Sequence, residues 1–212
     1  MSMPSDLRSR KRLATRQGIS DAATRLFLER GFDHVTVDQI AAAADVGRMT
    51  VFNHFPRKED MLFDRDEALR EMLRRSLQER DPAVGPVETL RRLAHRLVAE
   101  DSPSLRFSPD SERFAATVEG SATLQARARA IRDEIAGMIA QTLAATAGRA
   151  PHDPDARLAA GLLLATWSAA LIEAHGVYRA GHDAPAAQAA FLALVDRGSR
   201  GIGAAMAGTP YA

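Results

Sequence analysis

The chain contains no cysteine among its 212 residues. That excludes a disulfide framework, a thiolate nucleophile and a cysteine-built zinc finger. Charge of one sign is equally lacking: 28 Lys and Arg stand against 27 Asp and Glu, a formal net charge of +1. A partner recognised by charge must therefore be met by a local patch rather than by the field of the whole molecule. No apolar run is long enough to cross a membrane. The longest uncharged stretch, Leu158 to Ile172, falls short of the ~20 residues a span needs and reads as a helix buried on most of its circumference. The polar, basic N-terminus has no apolar core of a signal peptide, so a cytoplasmic, membrane-free protein is expected. Glycine-rich phosphate loops are missing; Gly31, Gly47 and Gly85 are isolated. The six histidines, at 34, 54, 95, 152, 175 and 182, follow no metal-ligand spacing. Nothing draws Ser, His and Asp into a triad. An enzyme, a cofactor and a metal are therefore not expected.

Strong β alternation and internal repeats are also absent. What remains is rich in Ala, Leu and Arg, punctuated by Pro and Gly near 81–86, 102–109, 148–154 and 181–185. Between these breaks the apolar residues recur at helical spacing. The expected fold is all-α, with about nine helices at 7–30, 37–44, 48–54, 57–79, 86–100, 110–118, 122–147, 154–179 and 185–206. The first three form an N-terminal helix-turn-helix domain, residues 1–56. Residues 57–212 form a C-terminal helical domain, entered through the helix at 57–79.

The segment TVDQIAAAADVGRMTVFNHFPRKED, Thr36 to Asp60, carries the functional signal. Thr36 and Gln39 have capping-box spacing, and Val35 and Ile40 are placed as a hydrophobic staple. Asp45-Val46-Gly47 turns the chain into a second helix, Arg48 to His54. Val51 and Phe55 share its inner face at i, i+4 spacing. Arg48, Met49, Thr50, Asn53 and His54 face outward. A short helix with a polar outer face and a cation suits the major groove of double-stranded DNA. Lys58 is expected at a helix start, where free amides and an ammonium attract phosphate. Upstream, Arg8, Arg10, Lys11, Arg12 and Arg16 form a basic arm opposed only by Asp6. The same helices also suit a protein-interaction module, which salt dependence of binding separates from a DNA binder.

Residues Ile19 to Leu62 resemble the DNA-binding domain of TetR-family transcriptional regulators. The runs AATRLFLERGF, VTVDQIAAAADVG and TVFNHFPRKEDML carry the resemblance. It implies a homodimeric, all-helical regulator, expected to repress, with a small-molecule pocket in the C-terminal domain. It places Thr36, Arg48, Met49, Thr50, Phe52, Asn53, His54 and Lys58 at DNA. Gly47 stands where the family often has Ser, and Met49 where it often has Gly. Phe52 replaces a Tyr whose hydroxyl commonly contacts phosphate; its ring is left to pack on sugar or a thymine methyl. A regulator without a small-molecule ligand is the remaining alternative.

In the C-terminal half, Asp153 is placed to cap a helix with Pro154 in its first turn. That helix is apolar nearly all round, so it must be covered all round. A second copy of the chain is the simplest cover, through this helix and the last one. Phe191, Leu194, Val195 and Ile202 are the expected interface residues. Phe107, Phe114, Met138 and Trp167, with His95 as a polar member, are the expected lining of an effector pocket for an apolar or aromatic ligand.

Overall fold

A computed structural model describes residues 4–64 and 66–212. Residues 1–3 of the expected first domain and Arg65 of the expected fourth helix lie outside the described residues, as do the side chains of residues 4–6, including Asp6, and of residue 66. Among the described residues there are nine α-helices and no strand. They are α1 (Pro4–Arg30), α2 (Val37–Ala43), α3 (Arg48–His54), α4 (Asp66–Gln78), α5 (Pro86–Ala99), α6 (Pro109–Glu119), α7 (Ala122–Thr146), α8 (Pro154–Gly181) and α9 (Ala184–Ala205). The chain divides into two compact units, one of residues 1–66 with 116–128 and one of residues 67–115 with 129–212.

The first unit is built on apolar residues that local caps bring together. α1 stops at Gly31, whose φ of 82° suits glycine, and the Gly31 amide donates to the Phe27 carbonyl at 2.9 Å. Phe27 and Phe32 then meet with ring centroids 4.9 Å apart. α2 begins with the expected capping box: the Gln39 amide donates to Thr36 Oγ1, and the Thr36 amide to Gln39 Oε1. It ends in a Schellman turn. Val46 N–H donates to Ala41 O at 3.0 Å and Asp45 N–H to Ala42 O at 3.3 Å. Asp45 holds the left-handed position, with φ of 52°, where a short polar side chain is among the tolerated ones. Ile19, Ala23, Phe27, Val35, Ile40, Val51, Phe55 and Met61 are all buried in the core. Leu124 and Ser121, at the start of α7, are buried too. Ser121 Oγ donates to Asp33 at 3.2 Å, and Arg127 pairs with Asp60 at 2.8 Å.

The expected fourth helix, 57–79, is not continuous. Amides of Asp60, Met61 and Leu62 donate three residues back, to Arg57, Lys58 and Glu59, making a 3-10 turn at Glu59–Met61. The adjacent Met61 and Leu62 are both buried. Three-residue bonds of this kind make a 3-10 helix, which rarely runs beyond a few residues. α4 begins only at Asp66.

In the second unit, α8 and α9 pack along much of their length and α5 packs on α9. Asp153 caps α8 by accepting from the amides of Asp155 and Ala156, and Asp183 caps α9 by accepting from Ala186. The close approach of α8 and α9 depends on Gly198, because a Cβ there would sit 2.2 Å from Thr166 Cγ2. Phe191, Val195 and Ile202 are buried within the single protomer, and Leu194 is half-buried. Three of the four residues expected at a subunit seam thus belong to the protomer's own core. The reason is register: α9 turns its larger apolar side chains toward α8. What α8 leaves open is a different face, with Leu158, Gly161, Ala165, Ala169, Ile172 and Gly176 exposed in one helical row. Ile172 is 74% exposed. By length and composition alone this 28-residue helix would also reach across a bilayer.

Candidate nucleic-acid interface

α3 presents one face to solvent, and its inner side fixes which face that is. Val51 within it and Phe55 at its end are fully buried, which fixes the helix's rotation. Arg48, Met49 and Asn53 are exposed, with Met49 at 70%, while Thr50, Phe52 and His54 are half-buried. Arg48 is held in place from two sides. Its Nη1 donates to both carboxylate oxygens of Asp38, and its guanidinium lies 5.5 Å from the Phe52 ring centroid. Thr36 uses its Oγ1 as acceptor in the capping box, so its own O–H remains available as a donor.

His54 sits at the end of α3 beside cations. Burial, then Arg12 and Arg16, lower its pKa below the ordinary imidazole value. It therefore stays neutral near pH 7 and offers hydrogen bonds rather than charge.

Two cations expected at phosphate are engaged elsewhere. Lys58 Nζ donates to the carbonyls of Phe32 at 2.8 Å and Val35 at 2.9 Å, and it lies 4.0 Å from the Phe32 ring centroid. Burial lowers its pKa, against the opposing pull of Asp33 and Glu59. The ammonium caps the turn before α2 and is directed into the fold. Its expected helix start is only the three-residue 3-10 turn, too short to gather several free amides. Arg16 donates to the His54 carbonyl at 2.7 Å, pairs with Asp64 at 2.6 Å and stacks 4.2 Å from the Phe55 ring centroid. It clasps the end of α3 onto α1. The rest of the expected basic arm is helical: Arg8, Arg10, Lys11 and Arg12 lie exposed on the first turns of α1. The roles of Asp38 and Arg16 were invisible to helical periodicity, because their partners lie 10 or more residues away.

Residues 19–64 match the family model described as bacterial regulatory proteins, tetR family. This N-terminal segment is therefore similar to the DNA-binding domain of the TetR family. Over 84 residues it is 36% identical to the HTH-type transcriptional regulator TcmR of Streptomyces glaucescens, a match covering 40% of this chain and 37% of that protein. The curated relatives are thus matched over less than half their length. Among solved structures, SmeT in complex with triclosan aligns with a TM-score of 0.56 at 20% identity, covering 89% of this chain and 91% of that one. SmeT is the repressor of the Stenotrophomonas maltophilia efflux pump SmeDEF. NalD, the secondary repressor of the MexAB-OprM pump in Pseudomonas aeruginosa, aligns with a TM-score of 0.52 at 24% identity, covering 89% and 97%. At these identities the structural likeness establishes the fold: a TetR-like helix-turn-helix domain followed by a helical domain.

The residues expected around an effector pocket occupy separate environments in the second unit. Phe107 is buried edge-on against His175, with centroids 5.2 Å apart. Trp167 stands edge-on to Phe191 at 5.8 Å. Phe114 and Met138 are half-buried. His95 bonds Asp196 at 2.8 Å, in a cluster with Arg91 and Glu88 that ties α5 to α9. A cavity of about 660 Å³ lies instead between α4 and α5, and one of about 390 Å³ lies beside the Arg91–Asp196 cluster. Neither is lined by the five expected residues. Of the four large side chains only Phe107 is buried; Phe114, Met138 and Trp167 are half-buried.

Proposed function

We propose that the protein is a cytoplasmic, DNA-binding homodimer that represses transcription from a palindromic operator and is released by a small-molecule effector. The observation that carries the reading is α3. Its inner residues are locked in the core while Arg48, Met49 and Asn53 project into solvent. A short, rigidly held helix with that outer face suits the major groove, where Arg reads guanine and Asn reads adenine. The uncovered apolar row on α8 supports a second copy as its cover, since a window of this helix as apolar as a membrane span is only 28% buried in one protomer. The likeness to SmeT and NalD, both repressors of efflux pumps, and the triclosan bound to SmeT support the rest.

Selection of bound sites from random-sequence DNA by the purified protein tests this. A palindrome should be enriched, with half-sites spaced for two copies of α3 on one face of the duplex. Its affinity should fall steeply with salt. No enrichment together with a shallow salt dependence would make the N-terminal unit a protein-interaction module.

A further inference from the structure

The cavity between α4 and α5 has a charge imbalance that the fold itself does not resolve. It lies on the outer side of α5, where Thr89, Arg92 and Arg96 face it, while Leu90, Leu93 and Leu97 turn into the core. Met72 and Val84 give it an apolar wall. Its acids are engaged: Glu71 by Arg74 and Arg75, Glu79 by Arg75, and Asp81 by the Ala83 amide at 2.9 Å. Arg92 is engaged too, by Glu88 at 2.7 Å. Arg80 and Arg96 are different. Among the described residues neither has an ion-pair partner, and Arg80 Nε is buried without a hydrogen-bond acceptor. A buried donor without a partner destabilises a fold. Here that buried donor and the exposed, unpaired Arg96 line one cavity of about 660 Å³, within the size range of small-molecule sites.

We propose that this cavity binds a small organic anion, a carboxylate or phosphate ester with a short apolar tail. Arg80 and Arg96 take the anionic head, and Met72 and Val84 take the tail. A planar guanidinium matches either head group in a bidentate manner. The proposal names the ligand class of an effector and rests on the regulator reading only for its consequence at DNA; the binding stands apart from it.

Titration calorimetry on the full chain at physiological salt tests the site, with octanoate and octyl phosphate as probes. Octanol and inorganic phosphate serve as the tail-only and head-only controls. Saturable binding of at least one alkyl anion is expected, one per chain. Octanol and inorganic phosphate should each bind about tenfold or more weakly, as should both alkyl anions in Arg80→Gln and in Arg96→Gln. Arg96 is exposed, so its replacement leaves folding intact and keeps the test decisive. Arg80→Met adds a readout: it should abolish binding while leaving the ligand-free melting temperature unchanged or raised, because an uncompensated buried donor has been removed. The proposal is overturned by three results: no saturable binding of either alkyl anion, equal affinity in Arg80→Gln and Arg96→Gln, or octanol binding as tightly as octanoate. Site selection on the same wild-type protein separates the two readings. Anion binding without any DNA preference removes the regulator and leaves the site; the reverse removes the site and leaves the regulator.

Discussion

Arg48, the cation at the head of α3, is tethered to Asp38 of α2 through a single nitrogen, its Nη1 lying 3.0 and 2.8 Å from the two carboxylate oxygens. One nitrogen holds the acid, which leaves the remaining guanidinium edge to meet a base. Both side chains are more than half exposed, so the pair contributes little to stability. Its effect is on orientation.

At the DNA surface the pair makes a two-sided prediction. Arg48→Ala should relax preference at one or two base pairs per half-site, costing ~1–3 kcal/mol there. Asp38→Asn should leave the melting temperature nearly unchanged and strengthen binding to non-specific DNA, because a carboxylate that repels phosphate is removed from beside α3. It should also flatten preference at the base pair Arg48 reads, because the guanidinium is no longer aimed. Binding profiles of both variants over single-base operator changes check this. A uniform loss across all sequences in Arg48→Ala would assign Arg48 to the DNA backbone.

Lys58 should behave as a structural residue. Its ammonium satisfies two carbonyls of the turn before α2, and hydrogen bonds to a charged group contribute about 1.5–3 kcal/mol. Lys58→Met should lower unfolding stability by roughly that amount. At temperatures where the variant remains folded, the salt slope of DNA binding should change by less than the full unit that loss of a phosphate contact gives. Denaturant unfolding and a salt titration of the same preparation decide it. Unchanged stability with a slope reduced by about 1 would return Lys58 to the phosphate.

Assembly turns on which face of α8 is altered. Phe191 is fully buried within one protomer, so Phe191→Ala should cost about 3–5 kcal/mol of folding stability. Ala169 and Ile172 lie on the uncovered row of α8. Ala169→Asp or Ile172→Asp should leave helical content intact and convert a dimer to a monomer in sedimentation. A folded Ile172→Asp variant that still sediments as a dimer would move the interface elsewhere. The row and the buried stripe are both apolar in the sequence. The pattern shows that the helix has two faces to cover, and only packing against α9 shows which of them the protomer covers by itself.

The helices were legible for local reasons. Thr36, Asp153 and Asp183 cap them, and Gly31 and Pro86 mark their limits; all of these act within a turn or two of the chain. The fourth helix differs from the expectation because Met61 and Leu62 continue the apolar pattern of the helix that follows, while the backbone at Glu59–Met61 closes three-residue bonds that no side-chain spacing reports. In the candidate site the outward face of α3 was legible from the positions of Val51 and Phe55. The engagement of Lys58 by Phe32 and Val35, and of Arg16 by His54 and Asp64, was not. Such pairs join residues far apart in the chain, and no periodicity encodes them. The cavity between α4 and α5 escaped for a similar reason: Arg80 and Arg96 lie in separate segments of the chain, and no helical spacing joins them.

Acid should loosen the second unit where α5 meets α9. Hydrogen bonds from Arg91 and Arg92 hold Glu88 at about 2, down from the ordinary 4.5. Burial pushes Asp196 up, but hydrogen bonds from His95 and Arg91 outweigh it and hold that carboxyl below its usual value. Both groups bind protons more weakly in the folded chain than in the unfolded one. Their contribution to stability is therefore fully present above the unfolded values, and it is lost as pH falls from about 4.5 through about 2. Glu88 and Asp196 are each about a third exposed, so solvent screens much of the effect of both. Melting temperatures of the wild type should fall more steeply with acid than those of Asp196→Asn or Glu88→Gln. The variants should be less stable at pH 7, with the gap closing toward pH 2. High salt should narrow the gap as well. Parallel melting curves for wild type and Asp196→Asn across this range would mean that the cluster's ion pairs are already replaced by water in solution, and that α5 is held to α9 by apolar packing.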